Sequence, residues 1–229
     1  MLYKESLQDG IEIVKNHADS VIWIKLDKDF FHLHDDVYIC GGYLWGEESP
    51  AYNTVNIDFF DILEEDMTYF SDLGEVFIAG DFNSRTGLRN DFIPHDRLVL
   101  DTDQEDYVPD LPISRASLDS KSNNFGTRLL DLCKSSALRI VNGRLDDDYN
   151  KGMYTFLCNS GASVVDYLLT RERNFSCIES FAIQPFNEWS DHAPLRFSLF
   201  SRQANMKMLT RVSQNLSGVM IKRSPFARA

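Results

Sequence analysis

In three places the sequence sets carboxylate, amide or imidazole groups against apolar runs. Gly80-Asp81-Phe82-Asn83 stops the run 75–79, Asp166 lies inside the apolar stretch 164–169, and Asp191-His192 precedes the run 193–200. Polar groups at strand ends, where loops converge, are a common way of building a reactive site on a rigid sheet. Carboxylates of this kind could serve a divalent cation, and an imidazole beside them titrates near neutrality. Read locally, Asp81 and Asn83 could bond their own backbone in a turn, and residues 190–194 could open a turn or helix. Asp166 is harder to set aside, because a carboxylate in so apolar a run is costly unless it has a partner. All three occurring in one chain argues for a site.

The elements that must position these groups are visible in the hydropathy pattern. Residues 20–25 and 36–44 read as buried strands, joined by a polar loop, 27–35, that carries His32 and His34. Residues 56–73 are the clearest helix: Phe59, Phe60, Leu63, Met67 and Phe70 recur at three- and four-residue steps, with Asp58 and Asp61 at the positive end. Gly74 ends it, and the strand 75–79 follows. Residues 84–122 form a long irregular stretch rich in Asp, Pro and Ser, longer than compact domains usually carry without a function or disorder. A second helix is expected over 127–137, then strands over 138–141, 153–158, 163–170, 178–184 and 193–200. Regular helix–strand alternation is absent from the second half, which points to mostly antiparallel sheets.

Composition limits the function. Of 229 residues, 43% are hydrophobic and 25% charged, so the chain can bury a core of ordinary size. A formal charge of −12 argues against gripping nucleic acid by bulk electrostatics. Residues 201–229 hold six basic and no acidic residues, so 1–200 is read as the domain and 201–229 as a basic, disordered tail. Cys40, Cys133, Cys158 and Cys177 stand far apart, without zinc-ligand spacing or a disulfide framework. Residues 1–5 contain no apolar signal core, and no apolar run approaches the ~18 residues a membrane span needs. The expectation is an intracellular protein of nucleus or cytoplasm, with no signal peptide and no membrane contact.

The three clusters also carry a resemblance. Phe77-Ile78-Ala79-Gly80-Asp81-Phe82-Asn83 resembles the GDFN motif of the endonuclease/exonuclease/phosphatase superfamily. Val165-Asp166-Tyr167-Leu168-Leu169 resembles its IDY-type strand, and Ser190-Asp191-His192-Ala193-Pro194 its SDHxP motif, in the family's order. Asn123-Asn124-Phe125-Gly126 before Leu129-Leu130-Asp131 is similar to the NxxG-helix segment of its retrotransposon-type endonucleases, and Val141-Asn142-Gly143-Arg144 and Gly152-Met153-Tyr154-Thr155-Phe156 extend the likeness. It covers residues 10–200. It implies an α/β (α+β) fold of two packed, mostly antiparallel β-sheets flanked by helices, a four-layer α/β/β/α sandwich.

The resemblance implies a metal-dependent phosphodiester hydrolase, a DNA endonuclease of retroelement origin using Mg2+, with Mn2+ as the alternative ion. Asp81 and Asn83 would orient and activate water, and His192 would meet phosphate charge or shuttle a proton. Asp166 would fix the His192 tautomer, Asp191 would help bind the cation, and Tyr43 would contact the scissile phosphate. The chain departs from the pattern twice. Tyr43-Leu44-Trp45-Gly46 replaces the family's Tyr-x-Pro-Pro. The family also opens with a strand–helix–strand unit ending in a metal-binding Glu, whereas residues 10–14 resemble the strand that comes after it, and neither Glu5 nor Glu12 stands in its context. The first strands are therefore expected to be missing, with weak or no nuclease activity and reduced stability. The alternative is a non-catalytic retroelement relic or nucleic-acid-binding fragment.

Overall fold

The computed structural model describes residues 3–17, 20–47, 49, 58–94, 110–201 and 219–223. The apolar runs become strands β1 (Ile11–His17), β2 (Val21–Leu26), β3 (Val37–Tyr43), β4 (Glu75–Asp81), β5 (Leu138–Ile140) and β8 (Asp166–Arg171). They form one sheet in the order β1-β2-β3-β4-β8-β5. β3 and β4 are parallel, because the amphipathic segment between them crosses over as a helix, α2 (Phe59–Ser71); the other neighbours are antiparallel. Asp58 caps α2, accepting from the Phe60 and Asp61 amides.

Alternation along the strands sorts the core into two layers. Trp23, Tyr38, Cys40, Ile78 and Tyr167 face α2 and α3 (Asn124–Ser135), meeting Leu63, Met67, Phe70, Leu129 and Leu130. Ile24, Ile39, Phe77 and Leu168 point the other way, onto Phe181, Phe197 and Leu199 of a second sheet. There β9 (Ile178–Ile183) pairs antiparallel with β10 (Leu195–Ser201), and the Phe77 and Phe197 rings stack at 6.2 Å. Each such side chain contributes about 1.5–3 kcal/mol when fully buried. The chain is thus mixed α/β, a large mixed sheet backed by helices on one face and a second sheet on the other. A further hairpin, β6 (Phe156–Cys158) and β7 (Gly161–Ser163), stands apart from both sheets.

Several boundaries differ from the sequence reading. The polar loop 27–35 contains one helical turn, α1 (Lys28–Phe31), because the Asp27 side chain caps it and His32 closes it at φ 56°. The expected strand 163–170 is two strands, β7 and β8. The amides of Val165 and Asp166 donate to Thr155 Oγ1 instead of to a ladder partner, which breaks the run. Residues 219–223 of the basic tail form β11 (Val219–Arg223), parallel to β10; residues 202–218 and 224–229 lie outside the described residues.

The described parts of the irregular stretch are held by arginines. Arg85 forms a two-pronged pair with Asp119, at 2.8 and 2.6 Å. Arg115 Nη2 donates to Thr86 Oγ1 and the Gly87 carbonyl. Arg144 grips Asp91 with both Nη atoms, at 2.5 and 2.7 Å, with both side chains almost wholly buried. The centre of that stretch, 95–109, lies outside the described residues.

Candidate active site

Strand register creates the site. In the antiparallel ladder of β4 and β8, Asp81 is the cross-strand partner of Asp166. In the parallel ladder with β3, Asp81 lies opposite Tyr43. The approach of β3 and β4 requires glycine: a Cβ on Gly80, at φ 155°, would stand 1.9 Å from the Gly42 carbonyl oxygen. Beyond Asp81 the chain turns through Asn83, at φ 45°, whose amide donates to Asp81 Oδ1 at 2.9 Å. The Asn83 side-chain amide donates to the Leu44 carbonyl at 2.7 Å, tying this turn to the end of β3.

His192 completes the cluster from the loop before β10. Its Nδ1 lies 2.9 and 3.1 Å from the two Asp166 oxygens, and its Nε2 stands 3.9 Å from Asp81 Oδ2. Backbone bonds from Leu157 to Asp191 and from Ala193 to Thr155 hold this loop against β6. The His192 ring also packs on Phe156, with centroids 4.8 Å apart. Asp81, Asp166 and His192 each offer a ligand atom, all within 4.8 Å of one another.

The flanking motif residues prove to be supports. Tyr167 is buried, and its hydroxyl lies 2.8 Å from the Ser84 carbonyl, 2.7 Å from the Val164 carbonyl and 3.2 Å from Thr86 Oγ1. Burial pushes that phenol up to about 12, so it stays a donor. Asn123 caps α3 by accepting from the Gly126 amide, accepts from the Arg85 amide, and donates to the Asn83 carbonyl at 2.9 Å. Gly126 permits this contact, since a Cβ there would meet the Arg85 carbonyl at 1.8 Å. Asn142 receives the Leu168 amide and donates to the Asp166 carbonyl. The NxxG pattern signals Asn123 in the sequence, and Asn142 and Thr155 lie in segments that extend the likeness without a role attached to either. Asn123→Ala is expected to cost about 1–2 kcal/mol in chemical denaturation, the upper range for a lost cap.

Electrostatics show strain of a useful kind. Burial, reinforced by the charges of Asp166 and Asp191, pushes Asp81 up to about 6 despite the Asn83 amide and His192. Burial also raises Asp166, against hydrogen bonds from His192 and Thr155. Burial alone would lower His192, but its hydrogen bond to Asp166 and the surrounding carboxylates outweigh this and raise it. A cation would relieve the repulsion between two carboxylates, and hard oxygen donors suit Mg2+, which keeps waters and uses one or two carboxylates. The donor set therefore fits a divalent ion.

A stability prediction follows from the sign. Asp81 ionises less readily folded than unfolded, so its favourable contribution is present below pH 3.8 and is lost as pH rises through about 6. Asp81→Asn is expected to stabilise the metal-free protein at neutral pH by on the order of 2 kcal/mol. Thermal melts in EDTA would check this, and a lower melting temperature for the variant would refute it.

Not every expected residue joins the cluster. Asp81, Asn83, Asp166 and His192 come together. Tyr43 stands beside Asp81 in register and is 40% exposed, its ring edge-on to Trp45 at 4.9 Å. Asp191 is exposed and is not among the three ligand atoms within 4.8 Å, although its charge acts on all three residues. His32 and His34 precede the start of β3, whereas Asp81 lies opposite Tyr43 at its far end, and His34 pairs with Asp35.

No protein-family profile matches the chain, and no curated protein sequence does. Solved structures do. The chain is similar to the AP endonuclease LMAP from Leishmania major, with a TM-score of 0.53 and 14% identity over 81% of this chain and 56% of that one. It is also similar to the endonuclease domain of TRAS1, a telomere-specific non-LTR retrotransposon, with a TM-score of 0.49 and 12% identity over 80% of this chain. A third likeness is to the 3'-5' exonuclease NExo from Neisseria meningitidis, with a TM-score of 0.46 and 16% identity over 81% of this chain and 68% of that one. The chain spans 64% of the length of the TRAS1 domain. Among the described residues, no helix is long and apolar enough to cross a membrane.

Proposed function

From a chain with the fold of the endonuclease/exonuclease/phosphatase superfamily, we propose a metal-dependent phosphodiester hydrolase that acts on DNA, an endonuclease of the retrotransposon type. The supporting observation is the meeting of Asp81, Asp166 and His192 within 4.8 Å at opposed strand ends. The Asn123 cap, part of the retrotransposon-like segment, supports the finer assignment by fixing the Asn83 turn.

In this reading, Asp81 and Asn83 orient the attacking water. In-line attack builds negative charge on the phosphate oxygens, and the His192 imidazolium, favoured by the hydrogen bond to Asp166 and the surrounding carboxylates, meets it with a proton donated from Nε2. Asp166 accepts from Nδ1, which fixes the tautomer and ring orientation, leaves Nε2 facing the substrate and stabilises the charged ring once Nε2 is protonated. Tyr43 touches the scissile phosphate from the end of β3. Mg2+, with Mn2+ as the alternative, would be held by Asp81 and Asp191 and would supply positive charge opposite the phosphate oxygens.

The test is nicking of supercoiled plasmid by the full chain, with Mg2+ or Mn2+ and with EDTA. Among the described residues no glutamate joins the cluster, so turnover is expected to be slow, and the assay calls for protein in excess. Nicking that persists in EDTA, or that survives loss of both Asp81 and His192, would remove the proposal.

A further inference from the structure

Trp189 is 86% exposed, the highest value among the exposed large hydrophobic side chains of the described residues. Tryptophan is highly buried on average, and one presented to water in an ordered turn three residues before His192 is placed to meet what the site binds. This turn is ordered: the Trp189 amide donates to Asn187 Oδ1 at 2.9 Å, and Asn187 and Ser190 form an isolated bridge. Ser190 Oγ in turn accepts from the His192 amide at 3.0 Å. The turn that carries the exposed ring is thus tied to the backbone of His192, three residues on.

A second aromatic group is tied to the other side of the cluster. Tyr43 and Trp45 pack edge to face around Leu44. The Leu44 amide donates to the Asp81 carbonyl at 2.8 Å, and its carbonyl accepts from Asn83 at 2.7 Å. The indole rings of Trp45 and Trp189 therefore sit on loops anchored to opposite members of the Asp81–His192 pair. The chain as a whole is acidic, with a pI of about 4.8, which argues against bulk phosphate neutralisation as the main source of affinity.

We infer that Trp189 and Trp45 are substrate-binding residues that stack unpaired bases on either side of the scissile phosphate, so that the site favours single-stranded or locally unpaired DNA over continuous duplex. This rests on the phosphodiesterase reading of the same site. Base–aromatic stacking tolerates any sequence, because every base has a π-face, and it needs bases that are not already stacked in a helix.

The experiment is fluorescence anisotropy of a labelled short oligonucleotide, single-stranded and as its blunt duplex, with the full chain in EDTA so that no cleavage occurs. Trp189→Ala is expected to weaken single-strand binding about tenfold or more and duplex binding far less. Trp189→Phe retains most of the affinity, and Trp45→Ala shifts it in the same direction as Trp189→Ala. Tyr69→Ala, an exposed aromatic on α2, serves as the control and leaves both affinities in place. Equal losses on both DNA forms, no loss with Trp189→Ala, or no single-strand binding by the parent chain would overturn the inference. A chain that binds through Trp189 yet never nicks plasmid with metal would instead overturn only the hydrolase reading.

Discussion

Asp81→Ala and His192→Ala should each lower metal-dependent plasmid nicking by about a thousandfold, and the double substitution should be scarcely worse than either alone. General acid–base groups contribute about 10²–10⁴ each, and donors aimed at developing charge contribute a similar factor. Near-equivalence of the single and double variants is the signature of residues that work as one unit. Geometry predicts that behaviour here, since Asp81 and His192 stand 3.9 Å apart and both depend on the same pair of strand ends. Asp166→Asn should give a smaller but still large loss, because an amide lacks the charge that holds Nδ1 protonated and stabilises the His192 imidazolium. Retained folding of each variant, read by circular dichroism, makes the rate losses interpretable. If single losses multiply cleanly in the double variant, the two groups act independently and the shared-site geometry is wrong.

The largest stability effect should come from a place without chemistry. Arg144 and Asp91 are both nearly inaccessible, and the pair is two-pronged. Asp91 also accepts the Ile140 amide, so one carboxylate anchors the irregular stretch to β5. Arg144 holds the Asp91 carboxyl below its usual range against the penalty of burial. Removing the arginine would leave that charge unpaired in the interior, which typically costs about 3–5 kcal/mol. Arg144→Met is therefore expected to remove a large fraction of the roughly 5–15 kcal/mol typical of a folded domain, while Arg144→Met/Asp91→Leu recovers part of the loss, the Ile140 amide losing its acceptor. Urea denaturation of the three proteins distinguishes the cases; a double variant no better than the single one would show that shape, not charge, is what the pair provides.

Much of the scaffold was legible because its signals are local. The helix at 59–71 announces itself through Phe59, Leu63, Met67 and Phe70, and the three polar clusters stand out against apolar strands. What stayed hidden depends on contacts distant in sequence. That Asp81 faces Asp166 follows from the register of β4 on β8, a match across 85 positions that no window of sequence displays. Asn123 reads as a helix start, yet its donation to Asn83 crosses 40 residues. Thr155 looks like an ordinary strand residue, and only its hydroxyl, taking the Val165 and Asp166 amides, explains why one apolar run became two strands. The ion pairs of Arg85 and Arg144 likewise join residues 34 and 53 positions apart.

The facing of Asp81 and Asp166 across a ladder has a bearing on how this protein can change over generations. Side chains swap sides with every residue counted along a strand, so one deletion between 77 and 81, or between 166 and 170, would turn an acid away from its mate and disarm the molecule at a stroke. Lineages should therefore tolerate almost no insertion or deletion beside the two aspartates.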